Sequence, residues 1–291
     1  MSFNRCRLMT SNAALDAASV TVSPAPDAGY PASNLQDPDR SKLCRTTGAS
    51  AEYTFSVPTS PWVQVLALTG LDYSPTAQIR LRGNDEDAGW TAPKYDSGYQ
   101  PAYPASFPRG SSPKGRYGKG GYLTPAVAPY YRAIFCWWLP ELHARKFWKV
   151  NLSDPDSTTG KIGIGVIGLC NMIEMTRNFI NPWSLKSVDT TAMIETADGG
   201  VKPGRMGTRY RVAEMEFENI PDEDKYFIDL ELTNLGKSTP WFIAMHSNDA
   251  GADSPFTTLY GTTDFYSGMK DRGPDQNDFK LVFREMTGDL Q

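Results

Sequence analysis

Lys146-Phe-Trp-Lys-Val-Asn-Leu-Ser153 sets Trp148, Val150 and Leu152 on one side and Lys149 and Asn151 on the other. That period of two is the mark of a half-buried strand. Ala51–Val57 repeats it, with Tyr53, Phe55 and Val57 opposed to Glu52, Thr54 and Ser56. Gln78–Arg82 alternates through Ile79 and Leu81, and Trp62–Thr69 reads as a more fully buried strand. The turn clusters SPAPDAGYP, TGLDYSPT, GNDEDAG and SDPDSTTG separate these runs. Several short strands at this spacing predict a sandwich or barrel. Composition agrees, because 25 glycines, 22 prolines and 12% aromatic residues favour turns and strands over helical bundles.

With 291 residues, and about 100–200 residues to a domain, two domains are expected. The net charge of −4 argues against a general polyanion binder, so any basic site must be local. Cys6, Cys44, Cys136 and Cys170 form no CxxC pair and share the chain with only two histidines, which points to four free buried thiols and no metal cluster. No stretch approaches the roughly 20 apolar residues that span a bilayer, and MSFNRCRLMTSN lacks the apolar run of a signal peptide. A soluble protein made in a cytoplasm, without membrane insertion, is the expectation.

Beyond about Met175 the character changes. Pro221-Asp-Glu-Asp224 places proline and acids where a helix begins, and Gly236 stands at a C-terminal cap. One helix is predicted over Pro221–Leu235, with Ile228, Leu232 and Leu235 as its apolar stripe. Strands are predicted at Arg209–Phe217, Pro240–His246, Thr257–Thr262 and Phe279–Met286. Glu214–Glu231 holds eight acids against Lys225 alone, a solvated face or a docking surface for a basic partner.

Pro93–Tyr131 stands apart. Its 39 residues include seven tyrosines, seven prolines, six glycines, five basic residues and the single acid Asp96. It has too few aliphatic residues to form a core, and long loops in compact domains are usually functional or disordered. Tyrosine, glycine and arginine suit contact surfaces, since a rigid ring offers area at little entropic cost. Five basic residues are thin for single-stranded nucleic acid. The candidate glycan- or partner-binding residues are Trp90, Tyr95, Tyr99, Tyr103, Arg109, Arg116 and Tyr117.

Other motifs carry less. Gly163-Ile-Gly165-Val-Ile-Gly168 matches GxGxxG, but Ile162, Ile164 and Val166 alternate as a strand of their own where the dinucleotide site requires a following helix. Gly110–Gly115 is followed by Arg116-Tyr117 and not by the Lys-Ser/Thr of a phosphate loop. Asp154, Asp156 and Gly160, like Asp85 and Asp87, read as turn residues, without the downstream glutamate of a calcium loop. There is no GxSxG elbow, and His143 and His246 have no evident nucleophile beside them. No catalytic residue, metal or cofactor is expected, and the chain is not read as an enzyme.

Two stretches together resemble a known family. Tyr30-Pro-Ala-Ser-Asn34-Leu35-Gln-Asp-Pro38, running on to Lys42-Leu-Cys-Arg45-Thr-Thr-Gly48, is one. Ala144-Arg145-Lys-Phe147-Trp148-Lys-Val-Asn-Leu-Ser-Asp154-Pro, running on to Gly160-Lys-Ile-Gly-Ile-Gly165, is the other. They look like the opening and closing motifs of discoidin-like domains, the galactose-binding-like jelly rolls also called coagulation factor type C. The variants with these turns are similar to tail proteins of long-tailed bacteriophages. The resemblance implies structural roles for Asn34, Leu35, Arg45, Phe147 and Trp148. It also implies a mainly β chain: a jelly-roll β-sandwich over 1–172 with an inserted loop 93–131, then a small β-sandwich or barrel with one α-helix over 173–291, similar to tail-tube and distal-tail folds. The functional expectation is a structural subunit of a phage tail tip or baseplate. It would assemble in the virion with copies of itself and other tail proteins. The alternative is a glycan-binding host-adhesion module that contacts host surface polysaccharide.

Overall fold

The computed structural model describes residues 5–102, 134–195, 201–204, 207–247, 251–252 and 257–287. The strands in chain order are β1 (Arg7–Met9), β2 (Ser19–Ser23), β3 (Cys44–Arg45), β4 (Ser50–Ser56), β5 (Trp62–Thr69), β6 (Gln78–Asn84), β7 (Tyr95–Asp96) and β8 (Gln100–Pro101). There follow β9 (Ile134–Ala144), β10 (Phe147–Ser153), β11 (Gly163–Ile164), β12 (Val166–Cys170), β13 (Ile173–Glu174), β14 (Ser184–Asp189), β15 (Met193–Glu195), β16 (Val201–Pro203) and β17 (Arg209–Ile220). Helix α1 (Asp222–Leu235) precedes β18 (Trp241–Ala244), β19 (Gly251–Ala252), β20 (Thr258–Tyr266), β21 (Lys270–Asp271) and β22 (Asn277–Glu285). The protein is thus mainly β, with one α-helix among the described residues.

The chain forms two compact units. The first takes in Met1–Met175 and Trp241–Tyr260, the second Thr176–Pro240 and Gly261–Asp289. In the first unit an antiparallel sheet of order β2-β4-β10-β6-β7, with β8 also on β6, faces a second of order β12-β5-β9-β19. The alternation seen in the sequence decides the packing. Tyr53 and Phe55 of β4, Trp148, Val150 and Leu152 of β10, and Ile79 and Leu81 of β6 enter one core with Leu66, Leu68, Phe135 and Leu169 of the other sheet. Burying side chains of this size stabilises by about 1.5–3 kcal/mol each before conformational entropy is set against it. This is the β-sandwich anticipated from the strand pattern.

β5 is buried on both faces, as its sequence suggested. A Cβ on Gly168 would meet the Phe242 ring at 3.0 Å, and the Cys136 thiol lies 3.8 Å from the Met9 sulfur. The outer apolar face of the β12-β5-β9 sheet is therefore covered by β1 and β18, which pair with each other in register Leu8 to Ile243. This is why Trp241–Tyr260, expected within a 173–291 domain, belong to the first unit. All four cysteines are free and buried. Burial pushes the Cys44 thiol up to about 12 and those of Cys6 and Cys170 higher still.

Each glycine of the GxGxxG run is fixed by packing. A Cβ on Gly165 would lie 2.2 Å from the Arg40 carbonyl oxygen, and one on Gly163 would lie 2.9 Å from the Asp72 side chain. Strand β12 follows, not a helix. The motif's glycines allow close backbone approach within a sheet.

In the second unit β20, β22, β17 and β14 lie side by side in an antiparallel sheet, with β21 on β22 and a separate β15-β16 hairpin. α1 starts after Pro221 with Asp222, Glu223 and Asp224 in its first turn, and ends at Gly236, whose φ of +56° is the left-handed conformation glycine tolerates. Ile228, Leu232 and Leu235 are its buried residues, as the stripe predicted. Arg211 and Glu285 form a buried ion pair at 2.8 Å between β17 and β22.

Candidate functional site

The residues of the six-stranded β2-β4-β10-β6-β7 sheet, with β8 on β6, that do not enter the core form its outer face. The register β10-to-β4 places Asn151 opposite Glu52, and β10-to-β6 places Lys149 opposite Arg82 and Asn151 opposite Arg80. Three adjacent strands thus bring two carboxylate oxygens, an amide, an ammonium and a guanidinium together. The Lys149 ammonium donates to Glu52 Oε1 at 2.5 Å. Arg82 Nη2 donates to Glu52 Oε2 at 2.8 Å, and Asn151 Nδ2 donates to the same oxygen at 2.9 Å. Arg82 Nε donates to Asn151 Oδ1 at 3.1 Å.

Burial alone raises the Glu52 carboxyl, but hydrogen bonds from Lys149 and Asn151 and the charges of Lys149 and Arg82 outweigh it and hold the group below its ordinary value. The Glu52 carboxylate is therefore ionised at neutral pH. The cluster retains bonding capacity, because the Lys149 ammonium and the Arg82 Nη1 have hydrogens left over and Glu52 Oε1 has a second lone pair.

Two aromatic rings border this face. Trp90, half-buried, lies 4.7 Å from the Lys149 ammonium and 5.7 Å from the Arg82 guanidinium, measured to its ring centre. Its carbonyl accepts from Arg82 Nη1 and its indole N–H donates to Asp87, which ties the loop after β6 back to the sheet. Tyr99 is 51% exposed, and its ring centre lies 5.6 Å from the Arg80 guanidinium. Arg80 is held by Asp96, bonded through Nε at 2.7 Å. The hydrogen bond from Arg80 comes first among the causes that lower the Asp96 carboxyl. Arg80 and Arg82 are two residues apart on one face of β6, about 7 Å along the strand, and each has one of the two rings over it.

Of the residues singled out in the sequence, Trp90 and Tyr99 reach this face. Tyr95 does not: alternation along β7 sends Asp96 outward and Tyr95 inward, with its ring 4.1 Å from His143 and 6.2 Å from Trp148. Burial, and then the nearby Asp96 charge, push its hydroxyl up to about 12. Tyr103, Arg109, Arg116 and Tyr117 lie outside the described residues. Glu52, Arg80, Arg82, Lys149 and Asn151 were visible in sequence only as the polar side of strands, and it is the cross-strand register that assembles them.

The turn acids are engaged as turns. Asp154 accepts from the Ser74 backbone N–H at 2.7 Å, and Asp156 accepts from Thr76 at 2.8 Å. Among the described residues no group of three or more His, Cys, Asp and Glu side chains is placed to hold a metal ion. Arg45, at the first resembling motif, bonds Asp72 at 2.8 Å and lies over the Tyr30 ring, while Asn34 donates to the Leu43 carbonyl. These are structural contacts.

No protein-family model matches the chain, and no curated protein matches it. Among solved structures, a chitosan-binding module from a Paenibacillus chitosanase/glucanase is 15% identical with a TM-score of 0.35, covering 55% of this chain and 98% of that one. CpGH89CBM32-6 from Clostridium perfringens is 12% identical with a TM-score of 0.34, covering 55% and 98%. A GH29 fucosidase of Ruminococcus gnavus in complex with fucose is 14% identical with a TM-score of 0.37. There the match covers 57% of this chain and 28% of the fucosidase.

Proposed function

We propose that the first unit is a carbohydrate-binding module, serving host adhesion in a bacteriophage tail, and that it binds without turning over its ligand. The observation that carries this is the outer sheet face, where Trp90 and Tyr99 border a fixed cluster of Glu52, Asn151, Arg82 and Lys149. A pyranose has an apolar C–H face that stacks on an aromatic ring, and hydroxyls that both donate and accept. A surface with rings beside spare donors and acceptors matches both. Because the side chains are already tied to one another, little rotamer entropy is lost when a ligand arrives.

The test is a glycan array that includes bacterial surface polysaccharides, probed with the wild-type chain and with Tyr99→Ala and Trp90→Ala. Binding by wild type that weakens in both variants is the expected result. A wild-type chain that binds nothing, or variants that bind as well as wild type, overturn the reading.

A second reading has its own observation. Helix α1 exposes Tyr226, Phe227 and Leu230, which a solvated helix has no reason to carry. It favours a structural subunit of a phage tail tip or baseplate that associates with copies of itself.

A further inference from the structure

α1 is apolar on two opposite faces. At 100° per residue, Ile228, Leu232 and Leu235 cluster on the buried side. Tyr226, Phe227 and Leu230 cluster on the other, 75%, 51% and 59% exposed. Glu223 lies on that outward face and the half-buried Glu231 flanks it beside Phe227, and among the described residues neither forms an ion pair. The remaining charges of the helix are spoken for: Asp222 accepts from Asn277, Asp224 from Thr176, Asp229 from the Tyr266 hydroxyl, and Lys225 is bonded to Asp271 at 2.9 Å. The outward face is thus an aromatic and aliphatic strip with one acid on it and one at its flank, neither paired among the described residues.

The chain contains a segment of complementary chemistry. Residues 103–133 carry five basic side chains, five tyrosines, Phe107 and no acid. We infer that the outward face of α1 is a docking surface for the 103–133 segment of a second copy of this chain. Arg109 and Arg116 would meet Glu223 and Glu231, and the tyrosines would cover Tyr226, Phe227 and Leu230. Complementary charge gives such a contact its register and partner choice, while the apolar strip supplies the area. Contact of one patch with a different patch on the next copy is heterologous and generates rings or filaments. The inference rests on the self-association reading above and names its surface.

Sedimentation velocity on the full chain tests it, with circular dichroism to confirm that each variant is folded. The wild type is expected to associate, and raising the salt from about 0.1 M to 1 M should weaken that association about tenfold or more by screening. Glu223→Lys with Glu231→Lys should sediment as monomer, and so should Arg109→Glu with Arg116→Glu. Mixing the two double variants should restore association, since each then supplies the sign the other lost. A wild-type chain that stays monomeric overturns both the surface and self-association. Wild-type association that survives both charge reversals overturns the surface alone and leaves self-association standing.

Discussion

The Lys149 ammonium lies 4.7 Å from the centre of the Trp90 ring, and so joins the loop after β6 to the neighbouring strand β10. A cation held over an aromatic ring contributes about 0.5–1 kcal/mol at an exposed site. Trp90→Ala should therefore cost no more than about 1 kcal/mol of stability in urea unfolding, yet lower glycan affinity about tenfold or more, since 1.4 kcal/mol of lost contact is a factor of ten. Large destabilisation with unchanged affinity would make Trp90 a packing residue only.

Tyr95 and Tyr99 lie four residues apart in sequence and on opposite sides of the sheet edge. Tyr95→Ala removes a ring packed on His143 and Trp148 and should cost about 1–3 kcal/mol. Tyr99→Ala removes an exposed ring and should change stability by less than about 0.5 kcal/mol while weakening ligand binding. Paired thermal melts and binding titrations of the two variants measure both effects. An inverted pattern would reverse the assignment of faces.

The pH dependence follows from Glu52. Its carboxyl is held below the ordinary value of 4.5 in the folded state, so the folded chain binds this proton less readily than the unfolded chain. Its contribution to stability is fully present above the unfolded value and is lost as pH falls through the folded one. Unfolding free energy of the wild type should drop over that acid range more steeply than that of Glu52→Gln. Parallel pH profiles for the two proteins would contradict a stabilising ionised Glu52.

Much of the first unit can be read from alternation. Ile79 and Leu81, Tyr53 and Phe55, and Trp148 and Val150 announce both their strands and the side that is buried, because a sheet with one wet face must alternate. The helix was equally legible, since Pro221, the first-turn acids and Gly236 act locally. The site was not. Glu52, Arg82 and Lys149 are separated by up to 97 residues and meet only through strand order, which local pattern does not encode. Nor does it encode the recruitment of β18 to the first unit, a consequence of β5 being apolar on both faces. Composition groups Tyr95 with Tyr99, and strand alternation separates them.

The glycines of the GxGxxG run give a prediction about packing. Gly165→Ala places a methyl 2.2 Å from the Arg40 carbonyl oxygen, where backbone must move. Overpacking of this kind costs about 3 kcal/mol, and the unfolding midpoint should fall accordingly. A neutral substitution, or nicotinamide dinucleotide binding by the wild type in calorimetry, would contradict the assignment of these glycines to close strand packing.

Carbohydrate is proposed to meet the outer face of the β2-β4-β10-β6-β7 sheet. Hydroxyl-radical footprinting of the full chain, with and without an oligosaccharide selected on the glycan array, tests it most directly. Oxidation of Trp90 and Tyr99 should fall when the sugar is present, while that of Trp62, exposed on β5, stays unchanged. Protection of Trp62, or of neither Trp90 nor Tyr99, would rule out this face as the binding surface.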